Sequence, residues 1–353
     1  MPLPFGLPPL PPLREFCADF TDPEKRRTIL AACIGSVIEW YDFAVFGFFA
    51  EEIGLVFFPG CDGSLRLIKS FGVFGAAFIM RPVGGVILGI FGDKFGRKAA
   101  LQLSIALMIF PSLGMALLPS YEQVGFFSPV MLLVIRLIQG VAVGGELIGS
   151  VLFMVESSPL EKRGKLGAFC FSFAILGTAC GALAGAFVRL ILSPAAVTSY
   201  GWRLCFVFGF LMGLAASVLR RGLEEPDEFQ EAQAGAEGGE LPRNPLKVAM
   251  TDYRTEVSIL LFSSAIWCSG FYTIFIWMGT FFGSMADADD VSVPAACAVG
   301  GHGATLTCPA KEKADIMFAR GINFFMQIFL MLLFPWAGWL SDTWAGGTSG
   351  SLL

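Results

Sequence analysis

Long apolar stretches dominate the chain and alternate with short polar segments. A membrane-spanning helix needs about 20 mostly apolar residues. Soluble helices show a polar face that these stretches mostly lack. The pattern therefore predicts an all-α integral membrane protein with about eight transmembrane helices, at 28–49, 70–91, 99–118, 130–155, 166–192, 202–219, 257–282 and 316–340.

Lysine and arginine are distributed unevenly between the two sets of loops. Basic clusters begin at Lys25, Lys94, Lys162 and Arg220, and all fall on one side of an eight-span chain. Loops on the other side carry only Arg66, Lys69, Lys311 and Lys313. Because basic loops stay in the cytoplasm, we expect a cytoplasmic N-terminus, most simply in the plasma membrane. No cleaved signal peptide is evident in the Pro-rich first 22 residues.

Composition argues against an enzyme and against nucleic acid as a partner. The chain is 55% hydrophobic and 15% charged, with a net charge of −5. Its nine cysteines show no metal-binding spacing, so we expect no metal and no cofactor. Cys297 and Cys308 flank a Gly-rich stretch in one outer loop, where a disulfide and free thiols are equally compatible with the sequence. His302, between them, is expected to be a solvated loop residue.

The charged, Gly/Ala/Glu-rich segment 220–255 divides the chain. It reads as a cytoplasmic linker. The predicted organisation is a Pro-rich cytoplasmic tail at 1–27, a six-helix bundle at 28–219, the linker, a partial bundle of two helices at 256–342 and a tail at 343–353.

A tight basic turn separates the second and third apolar stretches. Residues 89–98 follow the pattern G-x-x-x-D-K/R-x-G-R-K/R, whose glycines permit a sharp turn. This pattern resembles the signature loop of the major facilitator superfamily of secondary transporters. A weaker copy follows the eighth stretch, where Gly338, Leu340 and Asp342 keep the pattern. The resemblance implies two parallel six-helix halves, with a gate at the loop residues Gly89, Gly92, Asp93, Lys94, Gly96, Arg97, Lys98 and, in the second copy, Asp342.

Five of the ionisable residues inside the predicted spans are candidate functional residues, because a charge in hydrocarbon costs several kcal/mol unless it faces a cavity or a partner. Glu39 and Asp42 lie three residues apart, on one helical face. Arg81, Arg136 and Glu146 occupy the second and fourth spans. Arginine keeps its proton, so each must pair or bind an anion. Proton and substrate handling is one interpretation; a structural ion-pair network is the other.

The order of the motifs narrows the resemblance to the metabolite:proton symporter family, and within it to the proline/betaine branch. The motifs include EWYDF at 39–43, RPVGG at 81–85, RLIQG at 136–140, GGE at 144–146 and ESSP at 156–159. The resemblance implies symport of a small osmolyte or carboxylate with a proton, or with sodium as the alternative ion. Glu39, Asp42, Arg81, Arg136 and Glu146 would then serve coupling.

The second function class is a non-transporting homologue or an incomplete gene product. The sequence shows two spans after the linker where the family has six, so the 353-residue chain alone is expected to insert in the membrane without transporting. In that case Asp93 is expected to pair only with Lys94 or Arg97. The partners that both classes share are the lipid bilayer and, for a transporter, a small-molecule solute.

Overall fold

The computed structural model describes residues 18–60, 63–236, 245–271 and 326–343, and every regular element in those ranges is a helix. Six helical segments are long and apolar enough to cross a membrane. Their helices are α1 (Pro23–Phe48), α2 (Gly63–Phe95), α3 (Arg97–Leu117), α4 (Phe127–Glu156), α5 (Arg163–Ile191) and α6 (Trp202–Arg220). The prediction of an all-α membrane fold is confirmed.

Three further helices of at least ten residues follow the six. They are α7 (Asp227–Ala236), α8 (Arg254–Phe271) and α9 (326–343). Helices α8 and α9 cover parts of the seventh and eighth predicted spans, whose remainder lies outside the described residues. Short helical segments occupy Ala18–Thr21, Ala50–Phe57, Tyr121–Val124, Leu160–Lys162, Pro194–Ala196, Val197–Gly201 and Pro245–Thr251.

The chain separates into two compact units. One unit comprises residues 1–240 together with 330–353, and the other comprises 241–329. Helices α1 to α7 and most of α9 belong to the first unit, whereas α8 belongs to the second. The charged residues discussed below all belong to the first.

Small residues bring α2 against α4 and α1 against α5, the most extensive helix pairs of the first unit. A Cβ added at Gly140 would lie 2.2 Å from the carbonyl oxygen of Ala77, and one at Gly144 would lie 2.1 Å from that of Arg81. Backbones this close leave no space for a side chain, which is how glycine serves helix packing in membranes. The two helices therefore hold Arg81 and the α4 charges at adjoining depths.

Apolar side chains face both inward and outward, as expected for a bundle in lipid. Phe46, Trp202 and Phe206 are fully buried in one core cluster. Others such as Ile79 and Leu190 are 74% and 82% exposed. A soluble protein rarely exposes large contiguous apolar patches, so these outer positions fit contact with acyl chains. Glu39, Asp42, Arg136 and Glu146, by contrast, are buried.

Candidate functional site

A chain of polar contacts joins α1, α3 and α4 around Asp42. The Oδ2 atom of Asp42 accepts hydrogen bonds from Ser112 Oγ at 2.6 Å and from Gln139 Nε2 at 2.5 Å. Gln139 Oε1 in turn accepts a hydrogen bond from Arg136 Nη1 at 2.8 Å. The carboxylate and the guanidinium are thus linked through one amide. The other carboxylate oxygen, Oδ1, is buried and has no hydrogen-bond partner among the described residues.

Arg136 is fully buried and rests on aromatic rings. Its guanidinium carbon lies 3.8 Å from the ring centre of Phe46 and 5.6 Å from that of Phe206. Its Nε and Nη2 atoms have no hydrogen-bond partner within the described ranges. A buried guanidinium with N–H groups to spare is suited to receive an anion.

A second charged pair joins Glu39 on α1 to Arg81 on α2. Arg81 Nη2 lies 3.5 Å from Glu39 Oε1, and Glu39 is 1% exposed. The guanidinium carbon of Arg81 lies 4.3 Å from the ring centre of Phe78, 4.7 Å from Phe43 and 5.9 Å from Trp40. These separations fall within the range of cation–π attraction. We call Glu39, Phe43, Phe78 and Trp40 the aromatic box.

The aromatic box holds Arg81 without strong hydrogen bonds. The Nε and Nη2 atoms of Arg81 and the Oε2 atom of Glu39 have no hydrogen-bond partner in the described part of the chain. The 3.5 Å approach of the pair is therefore electrostatic contact without hydrogen-bond geometry. Buried polar groups in proteins are nearly always hydrogen-bonded, so this unsatisfied pair is a candidate for ligand contact.

Glu146 has a different environment from the one that the sequence suggests. Its carboxylate forms a bidentate ion pair with Arg220 and accepts hydrogen bonds from Ser104 and Ser150. Glu146 and Arg220 are both 0% exposed. The sequence does not specify a partner for Glu146, and in the structure that partner is Arg220.

Arg220, which the sequence analysis places at the start of the linker, is the buried last residue of α6. The residue ends α6, and its guanidinium donates to the carbonyl oxygens of Ala31, Ala32 and Leu101 at 3.0, 2.9 and 2.5 Å. A Cβ at Gly35 would lie 1.9 Å from a Glu146 carboxylate oxygen, so glycine there makes room for the pair. The basic last residue of α6 is therefore buried through its ion pair with Glu146.

The signature loop is held by carboxylates from three segments. Asp93 pairs with Arg97 at 2.5 Å, one of the two local partners expected. Arg97 Nε also lies 3.0 Å from Glu156 Oε2, at the end of α4. Glu225 accepts from the backbone N–H groups of Arg97 and Lys98 at the start of α3. A carboxylate is favourable at a helix N-terminus, which carries about half a positive charge.

Glycine is required at the turn of this loop. Gly96 has a φ of 107°, a conformation that L side chains rarely adopt, and an added Cβ would lie 2.7 Å from Glu225 Oε1. At Gly92 an added Cβ would lie 3.2 Å from the Ala100 side chain, whereas Gly89 faces open space. Lys94 lies 5.4 Å above the Phe95 ring. Gly96 is therefore the glycine of this loop that the geometry demands.

The second copy of the signature loop contacts the first turn of α5. Asp342 accepts hydrogen bonds from the backbone N–H groups of Gly164 and Lys165 at 2.6 and 2.8 Å. Asp19, in the short helix before α1, contacts Lys162 Nζ at 2.7 Å and Lys165 Nζ at 2.8 Å. Burial raises the pKa of Asp19, but the hydrogen bonds and charges of these lysines outweigh it and bring the pKa below its ordinary value. Two carboxylates thus meet at the start of α5.

Sequence reasoning found the charged residues of the spans but missed several of their partners. Ser112, Gln139 and Arg220 complete the buried contacts, and Glu156 and Glu225 complete the loop. Gln139 and Glu156 do stand in the RLIQG and ESSP motifs, which were an available signal. Cys297, Cys308 and His302 lie outside the described residues. The expectation of no cofactor and the coupling role of the five charges stay predictions.

Comparison with known proteins places the first six helices. A family model described as "Sugar (and other) transporter" matches residues 28–237. Over 210 residues, or 60% of this chain, the sequence is 38% identical to the glycine betaine/proline/ectoine/pipecolic acid transporter OusA of Dickeya dadantii (strain 3937) and 37% identical to the proline/betaine transporter of Escherichia coli (strain K12). In each case the match spans 42% of the relative's length.

A solved structure supports the same fold. The proton:xylose symporter XylE of the major facilitator superfamily, bound to 6-bromo-6-deoxy-D-glucose, matches with a TM-score of 0.57 at 18% identity. The superposition covers 87% of this chain and 67% of XylE. At that identity the likeness establishes the architecture of the helices and leaves the solute to be argued from the residues.

Proposed function

This chain belongs to the sugar (and other) transporter family of the major facilitator superfamily, and we propose that it moves a small zwitterionic osmolyte together with a proton. The resemblance to the proline/betaine branch, inferred from the motifs, is confirmed by the relatives named above. This family is one of transporters rather than enzymes. The alternative of a non-transporting homologue is not favoured, because those relatives and XylE are all named transporters or symporters.

The observation that carries the proposal is the buried link from Asp42 through Gln139 to Arg136. With Asp42 ionised, the carboxylate compensates the charge of Arg136 through the intervening amide. A proton on Asp42 removes that compensation and leaves a cation whose Nε and Nη2 atoms have no partner among the described residues. The carboxylate of a solute then satisfies Arg136. Proton binding and solute binding favour one another, which is the requirement for symport.

The charges of both signs support a zwitterion over a simple carboxylate. Arg136 offers unpartnered N–H groups to an anion, and Glu39 offers a buried oxygen without a hydrogen-bond partner in the described ranges to a cation. Proline and betaine carry both charges, and they appear in the names of the relatives. A dicarboxylate would satisfy only the arginines and would repel Glu39. The proposal therefore names small zwitterions as the solutes.

The sidedness of the basic loops supports a cytoplasmic N-terminus, and the plasma membrane is the location that we propose with it. In that orientation the Asp93 and Asp342 loops both face the cytoplasm. The inward proton gradient across a plasma membrane would then drive uptake.

The decisive experiment replaces Asp42 by Asn, which keeps the side-chain size but cannot carry the proton. The proposal opposes the expectation that the 353-residue chain inserts without transporting, and one experiment tests both. In proteoliposomes with an imposed inward proton gradient, it requires the wild-type protein to accumulate labelled proline or betaine and Asp42→Asn to lose accumulation. Exchange of internal for external solute should survive in the variant, since exchange needs no net proton movement. Asp252→Asn, at an exposed aspartate between two helices, is the matched control.

Three results would count against the proposal. Accumulation by Asp42→Asn at the wild-type level would remove Asp42 from coupling. If accumulation by the wild-type protein requires a sodium gradient and does not respond to a proton gradient, the coupling ion is sodium and not the proton. Uptake of dicarboxylates with no uptake of proline or betaine would overturn the zwitterion assignment.

A further inference from the structure

The aromatic box has the composition of a site for an organic cation. Rings of Phe43 and Phe78 lie within 5 Å of the Arg81 guanidinium carbon, with Glu39 as the adjacent carboxylate. Aromatic faces attract cations, and the best-known occupants of such cages are quaternary ammonium groups. A carboxylate that is 1% exposed, with one oxygen lacking a hydrogen-bond partner in the described residues, supplies the counter-charge.

The present occupant, Arg81, is loosely held. Its side chain is 24% exposed, and two of its nitrogens have no hydrogen-bond partner within the described part of the chain. Arg220 provides the contrast, since it is 0% exposed and bonds three backbone carbonyls as well as Glu146. Moving Arg220 would break that set of bonds, whereas moving Arg81 breaks contacts without hydrogen-bond geometry.

We propose that Arg81 is a tethered stand-in for the cationic nitrogen of the solute, and that the aromatic box receives a methylated ammonium group when Arg81 swings out. The inference rests on the proposed function and adds the residues that select the solute. The displaced guanidinium remains tethered beside the box, where it joins Arg136 as a second cation facing the carboxylate of the same zwitterion. The binding of a solute therefore exchanges one cation in the box for another and conserves the local charge.

The box also predicts which ammonium groups are accepted. The Phe43 and Phe78 side chains offer no hydrogen-bond acceptor, so a primary ammonium would bury N–H donors that only Glu39 can satisfy. An unsatisfied buried donor disfavours binding. A quaternary nitrogen has no N–H, and its methyl groups pack against the rings. Selectivity should therefore rise with methylation from glycine through N-methylglycine and N,N-dimethylglycine to glycine betaine.

The first test is competition against labelled proline uptake by the purified protein in liposomes. We expect the half-inhibiting concentration to fall along the methylation series and to be lowest for betaine. Phe78→Leu and Phe43→Leu should raise the value for betaine on the order of tenfold and flatten the series, while Phe78→Tyr, which keeps the ring, should preserve it. Phe91→Leu is the matched control on the same helix, since Phe91 contacts the Phe95 ring outside the box.

A second test uses tetramethylammonium, a cation without a carboxylate, and reads binding to the detergent-solubilised protein by calorimetry. Arg81→Gln should tighten tetramethylammonium binding, because the competing guanidinium is gone. The same variant should weaken betaine binding, because the solute carboxylate loses one of its two cationic partners and keeps only Arg136. Glu39→Gln should weaken both. These opposite signs distinguish a stand-in from an arginine that merely supports the fold.

The results separate this inference from the proposed function. If the wild type takes up proline but the half-inhibiting concentration does not change along the methylation series, the aromatic box does not bind the ammonium group, although transport itself is unaffected. The same conclusion follows if the trend along the series is unchanged in Phe78→Leu. If Arg81→Gln changes the binding of tetramethylammonium and of betaine in the same direction, Arg81 is not a stand-in for the solute cation. If wild-type protein transports no zwitterion while tetramethylammonium binding still responds to Arg81→Gln and Phe78→Leu, the proposed function fails and the cation site stands.

Discussion

Arg220→Met is expected to destabilise the six-helix bundle strongly. The substitution keeps a long, flexible side chain but removes the cation that compensates Glu146, which is 0% exposed. It also removes donors to carbonyl oxygens on α1 and α3. The variant therefore leaves a buried carboxylate whose remaining described partners are the hydroxyls of Ser104 and Ser150.

The size of the effect follows from the burial of the pair. Removing one partner of a buried ion pair costs about 3–5 kcal/mol, since the remaining charge is uncompensated. In a bundle of this size each kcal/mol shifts the midpoint of thermal unfolding by about 2–4 °C. We therefore expect Arg220→Met to unfold about 6–20 °C below the wild type.

Replacing both partners distinguishes a charge effect from a packing effect. The double variant Glu146→Met, Arg220→Met removes the uncompensated charge, and substitution of a whole buried pair by apolar residues is often close to neutral. The double variant should therefore be more stable than Arg220→Met alone. Arg221→Met is the control one residue away, where the side chain is exposed and the effect should stay within about 0.5 kcal/mol.

The assay is thermal unfolding of detergent-solubilised protein, followed by the monodisperse fraction on gel filtration after heating. The double-variant cycle isolates the interaction of the two residues. Unfolding of Arg220→Met within about 2 °C of the wild type would show that the pair does not hold α6 in place. A double variant as unstable as the sum of the single variants would refute the uncompensated charge as the cause.

Two predictions concern the segments that connect the helices. Because Lys162 and Lys165 bring the pKa of Asp19 below its ordinary value of about 3.9, its ion pairs should persist from pH 8 to 5 and be lost as the pH falls below about 4 through the lowered pKa. Hydrogen exchange of the amides of residues 18–21, corrected for intrinsic rates, should show protection in that window, and Asp19→Asn should lack the protection at every pH. Loss of protection in the wild type already at pH 6 would contradict the pairing. Cysteine in place of Glu122 should react with an impermeant maleimide in intact cells, and cysteine in place of Glu161 only after lysis; the reverse would overturn the orientation.

The sequence was informative about the helices and about which residues are exceptional. Apolar length predicted the six helices, and the cost of a charge in lipid singled out Glu39, Asp42, Arg81, Arg136 and Glu146 before any coordinates. These inferences depend on local properties, namely hydropathy and charge. Hydropathy and charge can be assigned to each residue without knowing which helices are neighbours.

Pairing was beyond the sequence because it depends on how the helices assemble. Gln139 bonds Asp42 across 97 positions of the chain, and Arg220 reaches Glu146 across 74. Arg220 stands beside Arg221 at the start of a charged segment, so its local context favours exposure. Its burial follows from space made by Gly35 and from a carboxylate on α4, and neither is visible from the neighbours of Arg220 in the sequence.

The meeting of Asp19 and Asp342 at the start of α5 bears on the order in which the protein is made. Gly164 and Asp342 are 178 positions apart, and ribosomes add about 5–20 residues per second, so roughly 10–35 s separate the synthesis of the first turn of α5 from that of its capping carboxylate. Asp19 is made before α5, so it is available to pair with Lys162 and Lys165 during that interval. The start of α5 therefore depends on one segment made before it and on another made much later.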